Sequence, residues 1–192
     1  MPKVLRGPRA MLNAPPGLLR LRGALVKSLA KRLTRPTDRA TSSGMERLRE
    51  RILADEAAQL FEEGMAADER FDYTAAHEAF TKALPLYQQI GDVRGEANCI
   101  FGFGDIAFVR SDHAGARDAY KRALPLYQQI GDVRGEANCI FGLGDIAFAR
   151  SDHAGARDAY ERALPLYQQI GDVFGEASCI LVCIPQCCDF IR

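Results

Sequence analysis

Ala83-Leu84-Pro85-Leu86-Tyr87-Gln88-Gln89-Ile90-Gly91-Asp92 opens a forty-residue stretch, 83–122, that is written out again as 123–162. Only three positions differ between the two copies: Phe103 becomes Leu143, Val109 becomes Ala149 and Lys121 becomes Glu161. A third start runs from Ala163 to Ile180, changed at Phe174 and Ser178, before the match breaks off. Self-similarity at one fixed period marks a stacked-repeat architecture. It predicts a shape and a class of work, the holding of a partner, without naming that partner.

Each copy carries two helical stretches. Asp92 is placed to N-cap the first, because its side chain can accept from an orphan backbone N–H. From there Val93, Ala97, Ile100, Gly104 and Ala107 recur at spacings of three and four, one face of a helix. Ser111-Asp112 breaks the pattern and caps a second helix, with Ala116, Ala119, Tyr120, Ala123 and Tyr127 on one face. Arg117, Asp118, Lys121 and Arg122 fall on the other, where Asp118 and Arg122 are spaced to pair. Small residues at Gly104, Ala107, Ala116 and Ala123 let the helices approach closely. Neither helix can bury its apolar face alone, so neighbouring copies must stack.

These residues resemble the tetratricopeptide repeat. Phe103-Gly104, Ala116, Tyr120 and Ala123 match its Leu-Gly, Ala, Phe/Tyr and Ala signature, and Leu143-Gly144, Ala156, Tyr160 and Ala163 match it again. An earlier, diverged copy has Gly64, Ala76, Phe80 and Ala83, with Glu63 in place of the leucine. The resemblance covers roughly Leu53 to Ile180 and implies an all-α, right-handed α-solenoid. The period of forty, against about 34 in the common form, is similar to the long-helix variety of kinesin light chains and of large bacterial and fungal signalling proteins. Pro85, Pro125 and Pro165 depart from the family pattern. Each sits inside its second helix and should kink it by removing a backbone donor.

Formal charge is zero overall, but residues 1–44 hold ten Lys/Arg and one acid, Asp38, against fifteen basic and twenty-four acidic residues in the remainder. The split predicts a basic arm, 1–44, joined to an acidic repeat domain, 45–184, with repeats at about 53–91, 93–131 and 133–171, a partial fourth at 173–184, and an irregular tail at 185–192. In the arm, Pro8, Pro15, Pro16, Pro36 and Thr41-Ser42-Ser43-Gly44 read as flexible chain. Gly17 to Arg35 can form a basic amphipathic helix, with Leu18, Leu21, Leu25, Leu29 and Leu33 set against Arg20, Arg22, Lys27, Lys31 and Arg32. It reads as a disordered extension ahead of Met45, as a mitochondrial presequence, or as a peripheral anchor on anionic membrane or nucleic acid. From Glu46 to Glu69 a charged helix places Ile52, Ala57, Leu60 and Met65 inward. No stretch approaches the ~18 apolar residues of a membrane span, and no secretory signal is seen. The expected compartment is the cytoplasm, with the mitochondrion as the alternative.

Other motifs yield to the period. Gly102-Phe103-Gly104-Asp105-Ile106-Ala107 spells a dinucleotide fingerprint, which works only in a strand-to-helix turn. Here it is mid-helix and recurs at Gly142 to Ala147, so close packing explains it and no cofactor is expected. Cys99, Cys139 and Cys179 are one repeat position, read as buried small hydrophobes. Cys183, Cys187 and Cys188 lack a familiar zinc spacing, so no metal is expected either. His113 and His153 follow Asp112 and Asp152 at helix starts, where a repeated pair offers neither nucleophile nor pocket. The chain is read as non-catalytic.

The family lines its concave groove with fixed positions of the first helices. That resemblance, carried over residue by residue, implies Asn98, Phe101, Asp105, Phe108 and Val109 in one repeat. In the next it implies Asn138, Phe141, Asp145, Phe148 and Ala149. Phe101 and Phe141 have a second reading, as packing between adjacent first helices. The family's clamp for C-terminal carboxylates needs Lys and Asn where this chain has Phe101 and Asp105, so it is absent. The expected work is a protein–protein interaction scaffold, taking a peptide or partner with apolar anchors and a basic residue, with no nucleic acid. The alternative is the sensor region of a larger nucleotide-switch signalling protein. At the C-terminus, Ile180, Leu181, Val182 and Ile184 run into Pro185 with no second helix after them. This predicts an open apolar edge that promotes self-association, and an open reading frame cut short or frame-shifted.

Overall fold

The computed structural model describes residues 39–187, with side chains from 43 to 181. Contacts divide the chain into Met1–Arg47 and Leu48–Arg192, and the repeats make up the second unit. In the first unit only the stretch from Arg39 is described. The helix expected between Gly17 and Arg35 lies outside the described residues.

Helices follow one another as α1 (Arg39–Glu69), α2 (Tyr73–Ile90), α3 (Val93–Val109), α4 (His113–Ile130), α5 (Val133–Ala149), α6 (His153–Ile170) and α7 (Val173–Cys187). No strand occurs among the described residues. The fold is an all-α helical repeat solenoid, in which α3, α5 and α7 are first helices and α2, α4 and α6 second helices. From α2 onward each helix packs on the next in chain order, and the first helices α3 and α5 also touch.

Local chemistry sets the helix limits. Asp92 Oδ1 accepts the Gly95 N–H at 3.1 Å, Asp112 that of Gly115 at 2.9 Å, and Asp132 that of Gly135 at 3.0 Å. Each carboxylate thereby satisfies one of the free donors of the first turn. The second helices end at Gly91, Gly131 and Gly171, with φ of +72°, +66° and +66°. There the Asp92 N–H donates to Tyr87 O at 3.0 Å, closing a Schellman turn that needs a left-handed residue. Within each repeat the matching turn is made without glycine, by Phe71, Ser111 and Ser151 at φ of 61°, 60° and 62°.

Three differences from the sequence expectation stand out. First, α1 begins at Arg39 rather than Glu46 and takes in Thr41–Gly44, expected to be flexible. Second, Met65 is 40% exposed, while Gly64 and Ala67 are buried in its stead. Third, Pro185 does not close its helix: α7 runs through it to Cys187, while Pro85, Pro125 and Pro165 lie inside α2, α4 and α6 as expected. Pro85, Pro125 and Pro165 are exposed, so the carbonyl each leaves unbonded falls on the solvent side. The Asp118–Arg122 pair is seen in the following copy, as Asp158–Arg162 at 3.5 Å, whereas Asp118 lies 4.0 Å from Arg117.

Aromatic rings held between glycines form the core. A Cβ on Gly104 would lie 2.5 Å from Tyr120, and one on Gly142 would lie 2.7 Å from the other edge of the same ring. Tyr120 on α4 is thus gripped by α3 and α5 together. Phe80 on α2 is held in the same way by Gly64 and Gly102. The Gly102–Gly104 motif is a packing surface. Cys99, Cys139 and Cys179 are fully buried. Burial, reinforced by Asp92 for Cys99 and by Asp105 for Cys139, pushes both thiols up to about 12, where they stay protonated and unreactive.

Candidate partner-binding cleft

The polar groups of the first helices are held by tyrosines of the second. Tyr120 donates its hydroxyl to Asp105 Oδ1 at 2.7 Å, and Tyr160 donates to Asp145 Oδ1 at 2.7 Å. Tyr127 donates to Asn98 Oδ1 and Tyr167 to Asn138 Oδ1, both at 2.8 Å. A polar group removed from water is costly unless bonded, and the same two bonds serve both of these repeats. Sequence reading missed these tyrosines as parts of the site. The signal was present: Tyr120 follows Asp105, and Tyr160 follows Asp145, by the same interval.

The first repeat supplies the control. Met65 stands where Asp105 and Asp145 stand, and Phe80 where Tyr120 and Tyr160 stand. Carboxylate and hydroxyl are present together or absent together. Likewise Ala58 replaces the asparagine, although Tyr87 is kept.

Between the first helices lie two adjoining clefts. One, of about 250 Å³, is lined by Phe101, Asp105, Phe108, Val109, Asn138, Phe141 and Asp145 with Tyr120, Gly142 and Tyr167. The other, of about 280 Å³, brings Asn98, Phe101, Asp105 and Asn138 together with Phe61, Met65 and Asp68 of α1 and with Arg134. Phe148 and Ala149 line neither. Phe148 is 47% exposed and sets its ring edge-on to His153 at 5.6 Å. Phe101 and Phe141 are half-buried and do double duty: Phe101 packs on Tyr120 at 5.3 Å and Phe141 on Tyr160 at 5.1 Å, while both face the cleft.

The cleft is electronegative. Burial raises the Asp105 carboxyl to about 6; the Tyr120 hydrogen bond opposes this, and the charges of Asp68 and Asp145 add to it. Burial also raises Asp145, again opposed by its tyrosine. Arg134, the cation at the edge, lies 3.6 Å from Asp172. Among the described residues no cluster of His, Cys, Asp and Glu is arranged to hold a metal, and no helix is long and apolar enough to cross a membrane.

Residues 96–169, from the body of α3 to the end of α6, match the family model described as tetratricopeptide repeat. No curated protein matches the chain. The matched span takes in Tyr120 and Tyr160, each with a glycine against its ring, and the capped turns that produce the period, and over that span the chain matches the tetratricopeptide repeat.

Proposed function

We propose that the cleft between α3 and α5 holds an extended segment of a partner protein, with an apolar side chain against the phenylalanines and a basic one at Asp105 or Asp145. Tetratricopeptide repeats generally mediate protein–protein interaction, and the family is typically a non-catalytic scaffold. The observation that carries the finer reading is the pairing of aromatic walls with half-buried carboxylates, each bonded on one oxygen to a tyrosine. A desolvated carboxylate gains most from a cation that reaches it, and Phe101 and Phe108 offer the apolar contact that dominates binding energy at such surfaces. Phe148 and Ala149 would extend this surface past the end of the cleft.

Affinity capture by the full-length chain tests the reading. Phe108→Ala combined with Asp105→Asn should lose the natural partner while the melting temperature stays within a few degrees, because Phe108 is only partly buried and an amide oxygen still accepts the Tyr120 hydroxyl. Undiminished capture by that double variant would sink the assignment.

A further inference from the structure

The cleft along α3 and α5 presents the same site twice. Asn98, Phe101 and Asp105 recur as Asn138, Phe141 and Asp145, and the tyrosine bonds that hold the polar members recur at identical lengths of 2.7 and 2.8 Å. Phe101, Asp105, Phe141 and Asp145 all line one cleft of about 250 Å³.

Two like sites on touching helices fix a spacing. Axes of packed helices lie about 8–10 Å apart, so a ligand crossing α3 and α5 meets a carboxylate roughly every 10 Å. An extended strand rises about 3.3 Å per residue, which makes three residues long enough, but alternation turns residues three apart to opposite faces. In a polyproline II segment each turn takes three residues at about 3.1 Å each, so residues three apart share a face at about 9 Å. That conformation is preformed and docks in aromatic-lined grooves at low entropic cost. Phe101, Phe108 and Phe141 provide such a lining beside the two carboxylates.

We propose that the cleft takes a proline-rich, polyproline II segment of a partner protein in which basic residues recur at every third position, one meeting Asp105 and the next Asp145. This rests on the reading that the cleft is the partner-binding surface, and adds to it the conformation and register of the ligand.

Fluorescence anisotropy with the full-length chain tests it, using labelled peptides of one composition. One peptide repeats Arg-Pro-Pro; its permutations bring the arginines closer together or set them further apart. The matched peptide should bind at least about tenfold more tightly than either permutation, a difference of about 1.4 kcal/mol. Asp105→Asn and Asp145→Asn should each abolish that preference with helical content unchanged. Equal affinity for all spacings, with binding lost in Phe108→Ala, would overturn the register and leave the cleft as the binding surface. Failure of the matched peptide to bind at millimolar concentration would also overturn the register alone. Binding that ignores Phe108→Ala and both asparagine variants would lie elsewhere on the chain and overturn both readings.

Discussion

Asp105 carries a carboxylate where the equivalent residue of the first repeat is a methionine, and the hydroxyl of Tyr120 makes that tolerable. Removing the hydroxyl alone strands a desolvated carboxylate. Tyr120→Phe should therefore destabilise the protein by about 1–3 kcal/mol. Adding Asp105→Met recreates the Met65/Phe80 arrangement and should recover most of that loss, and chemical denaturation of the two single variants and the double would show it. Additive losses would mean that the pair is not coupled. The same carboxyl gives a pH signature. Its folded-state value of about 6 lies above the ordinary 3.8, so the native state holds the proton more tightly than the unfolded chain. The stability this adds is full below about pH 4 and is lost as the pH rises through about 6. Asp105→Asn should accordingly melt at a higher temperature than the parent at pH 7.5, with the gap closing toward pH 4.5. A gap of constant size would contradict the burial argument.

At the scale of the element, the two kinds of turn differ in their chemistry. Gly91, Gly131 and Gly171 supply the left-handed residue between repeats, whereas Ser111 and Ser151 adopt the same conformation within them at a steric cost. Replacing Ser111 and Ser151 by Gly should relieve about 0.5–1 kcal/mol at each turn and raise the melting temperature by a few degrees. An unchanged or lower melting point would show that the serines make compensating contacts. Helix limits from α2 to α6 were legible in the sequence because capping aspartates and terminal glycines act over a single turn. The start of α1 was not, since nothing between Arg39 and Gly44 breaks a helix outright. Proline misled at Pro185, where α7 runs on to Cys187; the carbonyl left without its donor belongs to the exposed Leu181. The family resemblance named the groove positions, and eight of the ten line the two clefts; Phe148, which lines neither, rests on His153 just as Phe108 rests on His113. The tyrosine hydroxyls act between helices, and their trace in the sequence is the joint change of Asp105 and Tyr120 against Met65 and Phe80.

Across the whole repeat unit, one ion pair climbs from copy to copy. Arg94 reaches Asp132 at 2.6 Å and Arg134 reaches Asp172 at 3.6 Å, each aspartate also capping its own helix. Surface pairs of this kind contribute only about 0–1 kcal/mol each, so their effect is on register more than on stability. Phe174 occupies the next arginine position and is 87% exposed, beside Val173 at 75% and Leu181 at 66%. The expectation of self-association through α7 rests on these exposed apolar side chains. Phe174→Arg should reduce self-association at tens of micromolar in light scattering while leaving the melting temperature unchanged. A parent chain that is already monomeric there would remove α7 as a contact surface.

A partner seated in the cleft between α3 and α5 should shield the first helices from solvent. Hydrogen–deuterium exchange of the full-length chain, with and without its captured partner, tests this most directly. Slowed exchange should concentrate in 98–109 of α3 and 138–149 of α5. Protection confined to α4, α6 or α7, with α3 and α5 unaltered, would contradict it.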